Sequence, residues 1–480
     1  MKLGLLKKHL SDFLSVGFLL ILLPFFFYNL GHTSLVSWDE AWYAEIARNI
    51  LKSGDLFNLR WNEMAYYDHP PVGFWLIAIG ETLFGYGEFG VRSASAVFGF
   101  LSLVVIYFLG KELFNRVVGF CSAIGLASSF WFLFRSRSGN LDIFLTFFFI
   151  LTFYTAIKAV KNRKWLVPFA LSFVALILTK TGIPFTILPS LIIVFWKNKF
   201  QKKDYFLVFG IMGILGGIWA VSQFLTNSSF LDRYLQIGLP GVKAETSYQA
   251  NFSLAKIYLH DGIGRWFWPG VAGIISSIFL GIILRQKKWL ILPVFFISFF
   301  TPFVFSPKGH IWHLIPLHPF MIIAFFATAF WFGNTLRQLK WINSIVIFKK
   351  SSQFLLASFL VVFALYLASG QLKSAWVQFI DQPRYISDEQ ILSEAAGKAE
   401  GKFFIDDDFG PTAVWYSEKQ VSQIRDDDVK RLFMAEGVFT NAGKFVLITK
   451  QYRLDQQGIA KERYKILKSD RDKILVISDK

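Results

Sequence analysis

Cysteine is almost absent from this chain, which has one, Cys121, among its 480 residues. A single cysteine excludes an internal disulfide and any metal site built from several cysteines. Acidic residues are also scarce, 33 against 50 lysines and arginines. No repeat of fixed period is visible, so the sequence gives no indication of a solenoid or a propeller. Cys121 falls in an apolar segment, where we expect it to be a packing residue.

Apolar residues, in contrast, make up 54% of the chain, and 56 of them are phenylalanine. A membrane-spanning helix needs roughly 20 mostly apolar residues. Such runs predict about eleven spans, at residues 12–30, 91–110, 117–134, 141–159, 165–179, 182–196, 205–225, 267–284, 289–305, 312–334 and 352–369. The run at 72–84 is too short to span comfortably, so we expect an interfacial or re-entrant helix on the outer side. The sequence therefore predicts an all-α polytopic membrane protein.

The net charge of +17 indicates membrane topology rather than nucleic-acid binding. The basic residues cluster in alternate short loops, at 2–8, 158–164, 197–203, 285–288 and 337–350. By the positive-inside rule these loops are cytoplasmic. We therefore expect a protein of the cytoplasmic (inner) membrane with its N-terminus inside and the loop around Asp39 outside. The first apolar segment has no small-residue cleavage site, so we expect it to remain as an anchor.

Beyond Gly370 the composition becomes mixed, and short apolar runs alternate with helix-like stretches. The runs at 402–405, 421–424, 444–449 and 473–478 predict strands of a small extracytoplasmic α/β domain over residues 371–480. Residues 1–370 are expected to form the transmembrane domain, with outer loops at 32–90, 226–266 and 306–312. The acidic runs 406–408 and 426–428 are interpreted as turn and cap residues rather than metal ligands.

The first outer loop begins with an acidic pair, Asp39 and Glu40, in an aromatic stretch next to the membrane. Carboxylates at that depth lose solvation free energy unless they have a partner or a task, which favours a functional site. The pattern from Asp39 to Ile50 predicts a surface helix with Asp39 near its start and Arg48, a candidate for substrate binding, in its last turns.

The same loop continues with Asp68 and His69 directly before two prolines. Because proline restricts its own backbone and that of the residue before it, this stretch is expected to be an extended turn. The turn would hold Asp68 and His69 at the entrance to the next apolar helix.

These motifs resemble the glycosyltransferase family 39-like branch of the polytopic C-type glycosyltransferases, which includes protein O-mannosyltransferases and bacterial lipid A aminoarabinose transferases. The matching segments are residues 38–48, 53–55 and 67–71, Trp75, residues 84–85, Arg92, residues 141–142 and 179–180, and the loop 306–319. The resemblance implies transfer of a sugar from a polyprenyl-phosphate donor to a lipid, glycan or protein acceptor, with inversion in one displacement. No Gly-rich phosphate loop is present, in agreement with a donor that is not a nucleotide sugar.

The resemblance implies that Asp39 is the base that takes the acceptor's proton. We expect partial burial to raise the pKa of Asp39 towards a useful range. A helix-capping carboxylate without chemistry is the alternative for Asp39, and Glu40 is expected to have a supporting role.

Other polar residues are candidates for holding the lipid phosphate. His69 stands where many relatives carry lysine, and as a histidinium it would bind phosphate less well above about pH 6.5; packing on Trp75 is the alternative. Asp142 is expected to orient a cation or a sugar hydroxyl, or else to pair with Arg137. Lys180 is expected to meet the phosphate or to snorkel to lipid headgroups.

Two later outer loops supply further candidates. His260 and Arg265 are expected to cover the site, and Lys308 and His310 are phosphate candidates. Some relatives bind a divalent metal, but no spacing here is typical of metal ligands, so we expect no metal or other cofactor.

Two other classes of function remain open. A transporter or flippase is expected to carry charges in the middle of its spans and to have two similar halves, whereas here the ionisable residues concentrate in outward loops and at span ends. A receptor or scaffold that binds partners through its C-terminal domain would leave Asp39 without a catalytic role.

Overall fold

The structure, a computed structural model, describes residues 2–198, 200–238, 251–306, 309–338 and 346–479. The chain divides into two compact units. Unit 1 comprises Met1–Asn29, Tyr67–Gly73 and Ser95–Asp381, and unit 2 comprises Leu30–Tyr66, Phe74–Ala94 and Gln382–Lys480. Most of residues 32–90, the expected first outer loop, therefore belong to the same unit as the C-terminal residues, whereas the sequence grouped them with the transmembrane helices.

Apolar helices build most of the chain before residue 381. Their bounds are Lys2–Leu19, Leu23–Phe27, Val72–Phe84, Glu88–Leu113, Arg116–Ala127, Phe130–Arg135, Asp142–Lys161, Leu166–Ile177, Leu188–Phe195, Lys202–Thr226, Phe230–Gly238, Phe252–Ile263, Phe267–Ile283, Ile291–Val304, His318–Arg337 and Val346–Ala375. Within the described residues, eight helical stretches are long and apolar enough to cross a membrane: Leu10–Phe27, Glu88–Leu113, Asp142–Lys161, Lys202–Thr226, Phe252–Ile283, Lys287–Val304, Ile311–Arg337 and Ser352–Ile380. The chain is a multi-pass membrane protein.

Three further apolar stretches, Val72–Phe84, Arg116–Ala127 and Ile183–Phe195, are shorter than a full span. The sequence had placed one continuous span at 117–134, but that helix stops at Ala127 and a new one begins at Phe130. The break lies at Ser128, whose Oγ donates to the Gly125 carbonyl at 3.0 Å. Serine hydroxyls that bond to nearby backbone favour such interruptions. The expected number of about eleven spans is not confirmed.

The expected outer loop 226–266 contains two helices that the sequence did not predict, Phe230–Gly238 and Phe252–Ile263. The second begins at the cap residue Asn251, whose side chain accepts a hydrogen bond from the Leu254 amide. The asparagine cap was therefore a usable sequence signal.

Helices of unit 1 pack closely where glycine permits it. A Cβ atom on Gly273 would lie 2.3 Å from the Phe325 amide nitrogen, so Phe267–Ile283 and His318–Arg337 touch backbone to backbone. Small residues at helix contacts are typical of membrane proteins. Nearby, the ring centroids of Phe295 and Phe320 are 4.5 Å apart at an interplanar angle of 64°, and edge-to-face aromatic contacts of this kind help to fill the core of the unit.

Unit 2 begins with the helix Asp39–Ser53, which ends at Gly54 with a φ of +71°. A left-handed residue of this kind suits glycine and terminates a helix. A short hairpin follows, with β1 at Arg60–Trp61 and β2 at Met64–Ala65. Its turn residues, Asn62 and Glu63, both have positive φ, as two-residue hairpin turns require. The predicted helix at Asp39 is confirmed, but it does not lie along the surface as expected, because nine of its 15 residues are buried.

The C-terminal part of unit 2 is a small α/β domain, as predicted. Its strands are β3 (Lys402–Ile405), β4 (Val421–Gln423), β5 (Phe445–Thr449), β6 (Tyr464–Asp470) and β7 (Lys473–Ser478). The order is β4-β3-β5-β7-β6; β3 is parallel to β4 and β5, and β7 is antiparallel to β5 and β6. The helices are Asp388–Lys398, Gly410–Ser417, Asp428–Met434 and Gln451–Gln456.

Strand β6 was not predicted because its residues do not alternate between buried and exposed. Of its seven residues, only Tyr464 is buried. It lies at the edge of the sheet and carries two lysines, Lys465 and Lys468. Charged edge strands of this kind protect a sheet from pairing with other chains, and they lack the apolar pattern that identifies an inner strand.

Candidate active site

A buried group of charges in unit 1 surrounds Asp142, the first residue of the helix Asp142–Lys161. The Asn140 side chain caps this helix, because its Oδ1 accepts hydrogen bonds from the amides of Asp142 and Ile143 at 2.9 and 3.2 Å. The Asp142 carboxylate, 2% exposed, lies 2.6 Å from the Lys180 Nζ and 3.1 Å from the Arg135 Nη2. The helix start therefore presents one carboxylate to two buried cations.

Local structure explains how the two cations reach Asp142. Arg135 is the last residue of the helix Phe130–Arg135, and its guanidinium lies 5.0 Å from the centre of the Trp312 ring. Lys180 follows the helix Leu166–Ile177. Its Nζ is buried and paired, so the alternative that Lys180 snorkels to lipid headgroups is wrong. Two cations on one carboxylate leave an excess of positive charge, which favours an anionic ligand.

Asp68 and His69 are held next to this group by hydrogen bonds to residues adjoining Lys180. The Thr181 hydroxyl donates to the Asp68 carbonyl at 2.8 Å, and the Val72 amide donates to the Leu178 carbonyl at 3.0 Å. The Asp68 carboxylate also lies 3.7 Å from the Arg233 guanidinium. The predicted turn is therefore part of the Asp142 site.

The pKa of His69 is lowered to about 3, chiefly because its ring is desolvated and secondly because Lys180 is nearby. The imidazole is consequently neutral at neutral pH. This corrects the expectation of a histidinium that loses phosphate binding near pH 6.5. A neutral ring retains one N–H donor, so His69 can offer one hydrogen bond but no charge.

The loop before His318 brings two more histidines to unit 1. Lys180 and Asp142 act electrostatically on His313 as well as on His69. The His310 amide donates to the His313 Nδ1 at 3.4 Å, and the His310 ring stacks on Trp312 with centroids 4.6 Å apart. His310 therefore stacks on the same Trp312 ring that lies against Arg135. Lys308 lies outside the described residues.

Three other predicted residues have different surroundings. Arg137 donates to the carbonyls of Phe25 and Tyr28 at 3.1 and 2.7 Å, so the cations on Asp142 are Arg135 and Lys180 rather than Arg137. His260 lies 2.8 Å from its neighbour Asp261, and both side chains are exposed. The Arg265 amide donates to Gln371 Oε1 at 2.9 Å. The structure gives none of these three a contact with Asp142.

In unit 2, Asp39 is partly exposed and is the first residue of its helix. The residue before it, Trp38, has a φ of +71° and a ψ of −120°, which is a costly conformation for a bulky side chain. Backbone strain of this kind persists only where the surroundings enforce it, and it concentrates at functional sites.

Glu40 supplies that enforcement. Its two oxygens lie 2.7 and 2.9 Å from the Arg92 guanidinium, and Oε2 also accepts the Val36 amide at 2.9 Å. Arg92 further donates to the carbonyls of Leu30, Thr33 and Ser34. The buried pair therefore fixes the chain leading to Asp39, which fits the supporting role expected of Glu40.

An aromatic group in unit 2 surrounds the same helix start. The Trp42 ring lies 5.8 Å from Trp38, 5.0 Å from Trp61 and 5.9 Å from Tyr66. The indole nitrogens of Trp42 and Trp61 are buried and have no acceptor among the described residues. Buried indole N–H groups usually donate to an acceptor, so a bound molecule could supply the acceptors for Trp42 and Trp61.

Sequence reasoning missed two acidic residues of unit 2. Glu45 pairs with Arg48, whose guanidinium also donates to the Trp415 carbonyl at 2.9 Å; burial raises the pKa of Glu45, against the effect of Arg48. Glu81 is 1% exposed, and neither of its carboxylate oxygens has a hydrogen-bond partner among the described residues. An acidic residue inside an apolar helix was the signal for Glu81.

No group of three or more histidine, cysteine or acidic side chains in the described parts of the chain could hold a metal ion.

The matching family covers residues 68–222 and is described as dolichyl-phosphate-mannose-protein mannosyltransferase. A protein of Aquifex aeolicus (strain VF5) is 28% identical over 233 residues, which are 46% of each chain. An undecaprenyl phosphate-alpha-4-amino-4-deoxy-L-arabinose arabinosyl transferase of Pseudomonas savastanoi pv. phaseolicola is 36% identical over 141 residues, 28% of this chain and 26% of that one. The chain spans less than half the length of either relative.

Solved structures are similar over much more of the chain. ArnT from Cupriavidus metallidurans bound to undecaprenyl phosphate has a TM-score of 0.71 at 15% identity and covers 97% of both chains. The archaeal oligosaccharyltransferase AglB from Archaeoglobus fulgidus, in complex with an inhibitory peptide and a dolichol-phosphate, has a TM-score of 0.61 at 13% identity, over 91% of this chain and 69% of that one. The resemblance seen in the motifs is therefore confirmed: this chain has the fold of the polytopic C-type glycosyltransferases, and its residues 68–222 match the dolichyl-phosphate-mannose-protein mannosyltransferase family.

Proposed function

We propose that this chain is a membrane glycosyltransferase that moves a sugar from a polyprenyl-phosphate donor to a lipid, glycan or protein acceptor. The observation that carries the proposal is the buried group in which Arg135 and Lys180 share the Asp142 carboxylate. The activity named for the Pseudomonas relative, a transferase acting on an undecaprenyl-phosphate sugar, supports it. So does the undecaprenyl phosphate bound to ArnT, which has the same fold.

The reaction requires an acceptor oxygen to replace the phosphate at the anomeric carbon. Asp39 takes the proton of the acceptor hydroxyl as the new carbon–oxygen bond forms and the bond to the phosphate oxygen breaks. The electron pair of the broken bond leaves with the lipid phosphate. Asp39 suits this task because it is partly exposed at a helix start whose preceding backbone is held by Glu40 and Arg92.

The departing lipid phosphate gains negative charge, and fixed cations lower the energy of that change. Arg135 and Lys180 supply the positive charge, while Asp142 keeps both side chains oriented. His69 contributes a hydrogen bond rather than a charge. The arrangement favours a leaving phosphate over a neutral leaving group.

We place the transfer on the outer face of the cytoplasmic membrane, with the N-terminus inside and residues beyond 381 outside. The alternate basic loops support this orientation through the positive-inside rule. A transporter is less well supported, because a transporter is expected to carry charges in the middle of its spans. Here Asp142 is the first residue of a helix, and Lys180 follows the end of another helix.

The test uses membranes containing either the wild-type chain or Asp39→Asn, supplied with labelled polyprenyl-phosphate sugars. Lipid and protein fractions are extracted separately, so the labelled fraction identifies the acceptor class. We expect label to move with wild type and to stop with Asp39→Asn. Glu394→Gln, which alters an exposed carboxylate of unit 2, is the matched control and should transfer normally.

Two results would count against parts of the proposal. Equal transfer by Asp39→Asn would remove Asp39 as the base and leave Asp142 as the candidate. Absence of transfer with every donor, together with movement of a labelled lipid between the leaflets of reconstituted vesicles, would favour the flippase.

A further inference from the structure

Unit 2 contains a polar cavity whose lining residues have no part in the transfer steps described above. Its volume is about 330 Å³, and its walls come from the helix Asp39–Ser53, from residues 58–63 around the hairpin and from residues 414–420. Pockets for small molecules have volumes of roughly 300–1,000 Å³. The cavity therefore has room for a small ligand.

Hydrogen bonds between the wall segments hold the cavity open. The Asn62 side chain donates to the Val421 carbonyl at 2.8 Å and accepts from the Val421 amide at 2.9 Å, so the hairpin turn is fixed to β4. Asn49 donates to the Arg60 carbonyl at 3.1 Å, which joins the helix to the hairpin. A ligand would meet a preformed site and would not have to order it.

The lining is unusually polar for a pocket of this size. Val414 is the one apolar residue among those that line it. The others are four cations (Arg48, Lys52, Arg60 and Lys419), three carboxylates (Glu45, Glu63 and Glu418), and the amides and hydroxyl of Asn49, Ser53, Asn58, Asn62 and Gln420. Ligand pockets are usually lined mainly by apolar side chains, so this cavity does not suit a lipid chain.

The charges of the lining are nearly balanced. Arg48 pairs with Glu45, and Lys52 lies 2.7 Å from Glu418. Phosphate, which only accepts hydrogen bonds at its charged oxygens, would meet carboxylates as well as cations. A hydroxyl both donates and accepts, so a ring of hydroxyls can use the carboxylates, the cations and the amides together.

We propose that this cavity binds a neutral, hydroxyl-rich saccharide. The cavity lies in the same unit as Asp39, the proposed base. We therefore assign the bound saccharide to the acceptor molecule, as a sugar unit remote from the hydroxyl that receives the transferred sugar. That assignment rests on the proposed transferase function, whereas saccharide binding does not. Arg48, a candidate for substrate binding by sequence, acts here as a wall residue that its bond to the Trp415 carbonyl holds in place.

The test measures saccharide binding to the full-length chain in lipid nanodiscs, since detergents with sugar headgroups would compete. The probes are glucose, mannose, their linear trisaccharides, and the 6-phosphates of both monosaccharides, observed by saturation-transfer NMR. The double variant Arg60→Ala/Glu63→Asn removes one cation and one carboxylate, and asparagine tolerates the positive φ of residue 63. The matched control is Glu400→Gln/Lys444→Ala, an exposed pair in unit 2 outside the lining.

We expect saturable binding of at least one neutral saccharide by wild type and by the control, and binding about tenfold weaker in the pocket variant because hydrogen-bond partners are lost. The inference is overturned if no neutral saccharide binds, if only the phosphates bind, or if the pocket variant binds like wild type. Label transfer is measured on the same preparations. Pocket-dependent binding without transfer would reject the transferase and keep the saccharide site, and transfer without such binding would reject the saccharide site alone.

Discussion

Two buried groups of charged side chains, one in each unit, differ in the ratio of cations to carboxylates. At Asp142 in unit 1, one carboxylate meets two cations, and the nearby His69 is neutral. At Glu40 in unit 2, one carboxylate meets one cation, and backbone carbonyls take further donors of that cation.

The difference in balance indicates a difference in task. A closed one-to-one pair with satisfied hydrogen bonds has little to offer a ligand, and its loss is felt as instability. A group with excess positive charge keeps attraction for an anion, at a cost in the free state that a bound phosphate would offset. A buried ion pair alone therefore does not indicate an anion-binding site, whereas an excess of buried cations over carboxylates favours one.

Breaking the balanced pair should give the largest change in stability. Glu40→Ala leaves the Arg92 guanidinium buried without its carboxylate, and loss of one partner of a buried pair typically costs about 3–5 kcal/mol. We expect a clearly lower thermal unfolding midpoint. Lys52→Ala, which lies on the same helix as Glu40 and breaks the exposed pair with Glu418, is the control and should cost about 0–1 kcal/mol.

Thermal unfolding of both variants in the same nanodiscs checks this prediction. Equal midpoints for Glu40→Ala and Lys52→Ala would mean that Glu40 does not stabilise the chain before Asp39. In that case Glu40, which is next to Asp39 in the sequence, would become a candidate for a direct role in the reaction.

Weakening the unbalanced group should change the reaction rather than the fold. Lys180→Met removes the ammonium group, keeps an unbranched side chain that is one atom shorter, and leaves Asp142 paired with Arg135. Since removal of one group that stabilises developing charge typically costs about 10²–10³-fold in kcat, we expect a loss of that order, and partial recovery in Lys180→Arg. Lys161→Ala, an exposed lysine paired with Glu112, should transfer normally.

The readouts are kcat and the donor KM in the label-transfer assay, together with the unfolding midpoint. A loss of activity in Lys180→Met that matches a loss of folded protein would place Lys180 with Glu40 among the structural residues. The comparison between the two groups would then fail.

The sequence was informative where a local pattern of residue types is enough to determine the structure. Long apolar runs located the spanning helices, short apolar runs located β3, β4, β5 and β7, and Asp39 stands at a helix start as expected. It failed where the outcome depends on packing across distant segments. The charge of His69 is set by burial and by Lys180, more than a hundred residues away, and the partners of Asp142 could not be chosen among Arg135, Arg137 and Lys180 from spacing alone.

The smallest expected effect concerns His69, for which the prediction is an absence of titration. Its pKa is lowered to about 3, while an unfolded histidine titrates near about 6.5. The native ring therefore stays neutral as pH falls through 6.5. Any stability linked to this difference is full above about pH 6.5 and is lost as pH falls from there towards 3, since only the unfolded chain gains the proton.

NMR of ring-labelled histidine, with His69→Gln to assign the signal, measures this directly. We expect the His69 signal to remain constant between about pH 8 and pH 5, whereas the histidines of the denatured chain shift near about pH 6.5. The pH dependence of the donor KM should also be the same in wild type and in His69→Gln, because the neutral ring does not titrate in this range. A native His69 signal that moves near pH 6.5 would restore the histidinium, raise the charge of the Asp142 group below that pH, and make phosphate binding there dependent on pH.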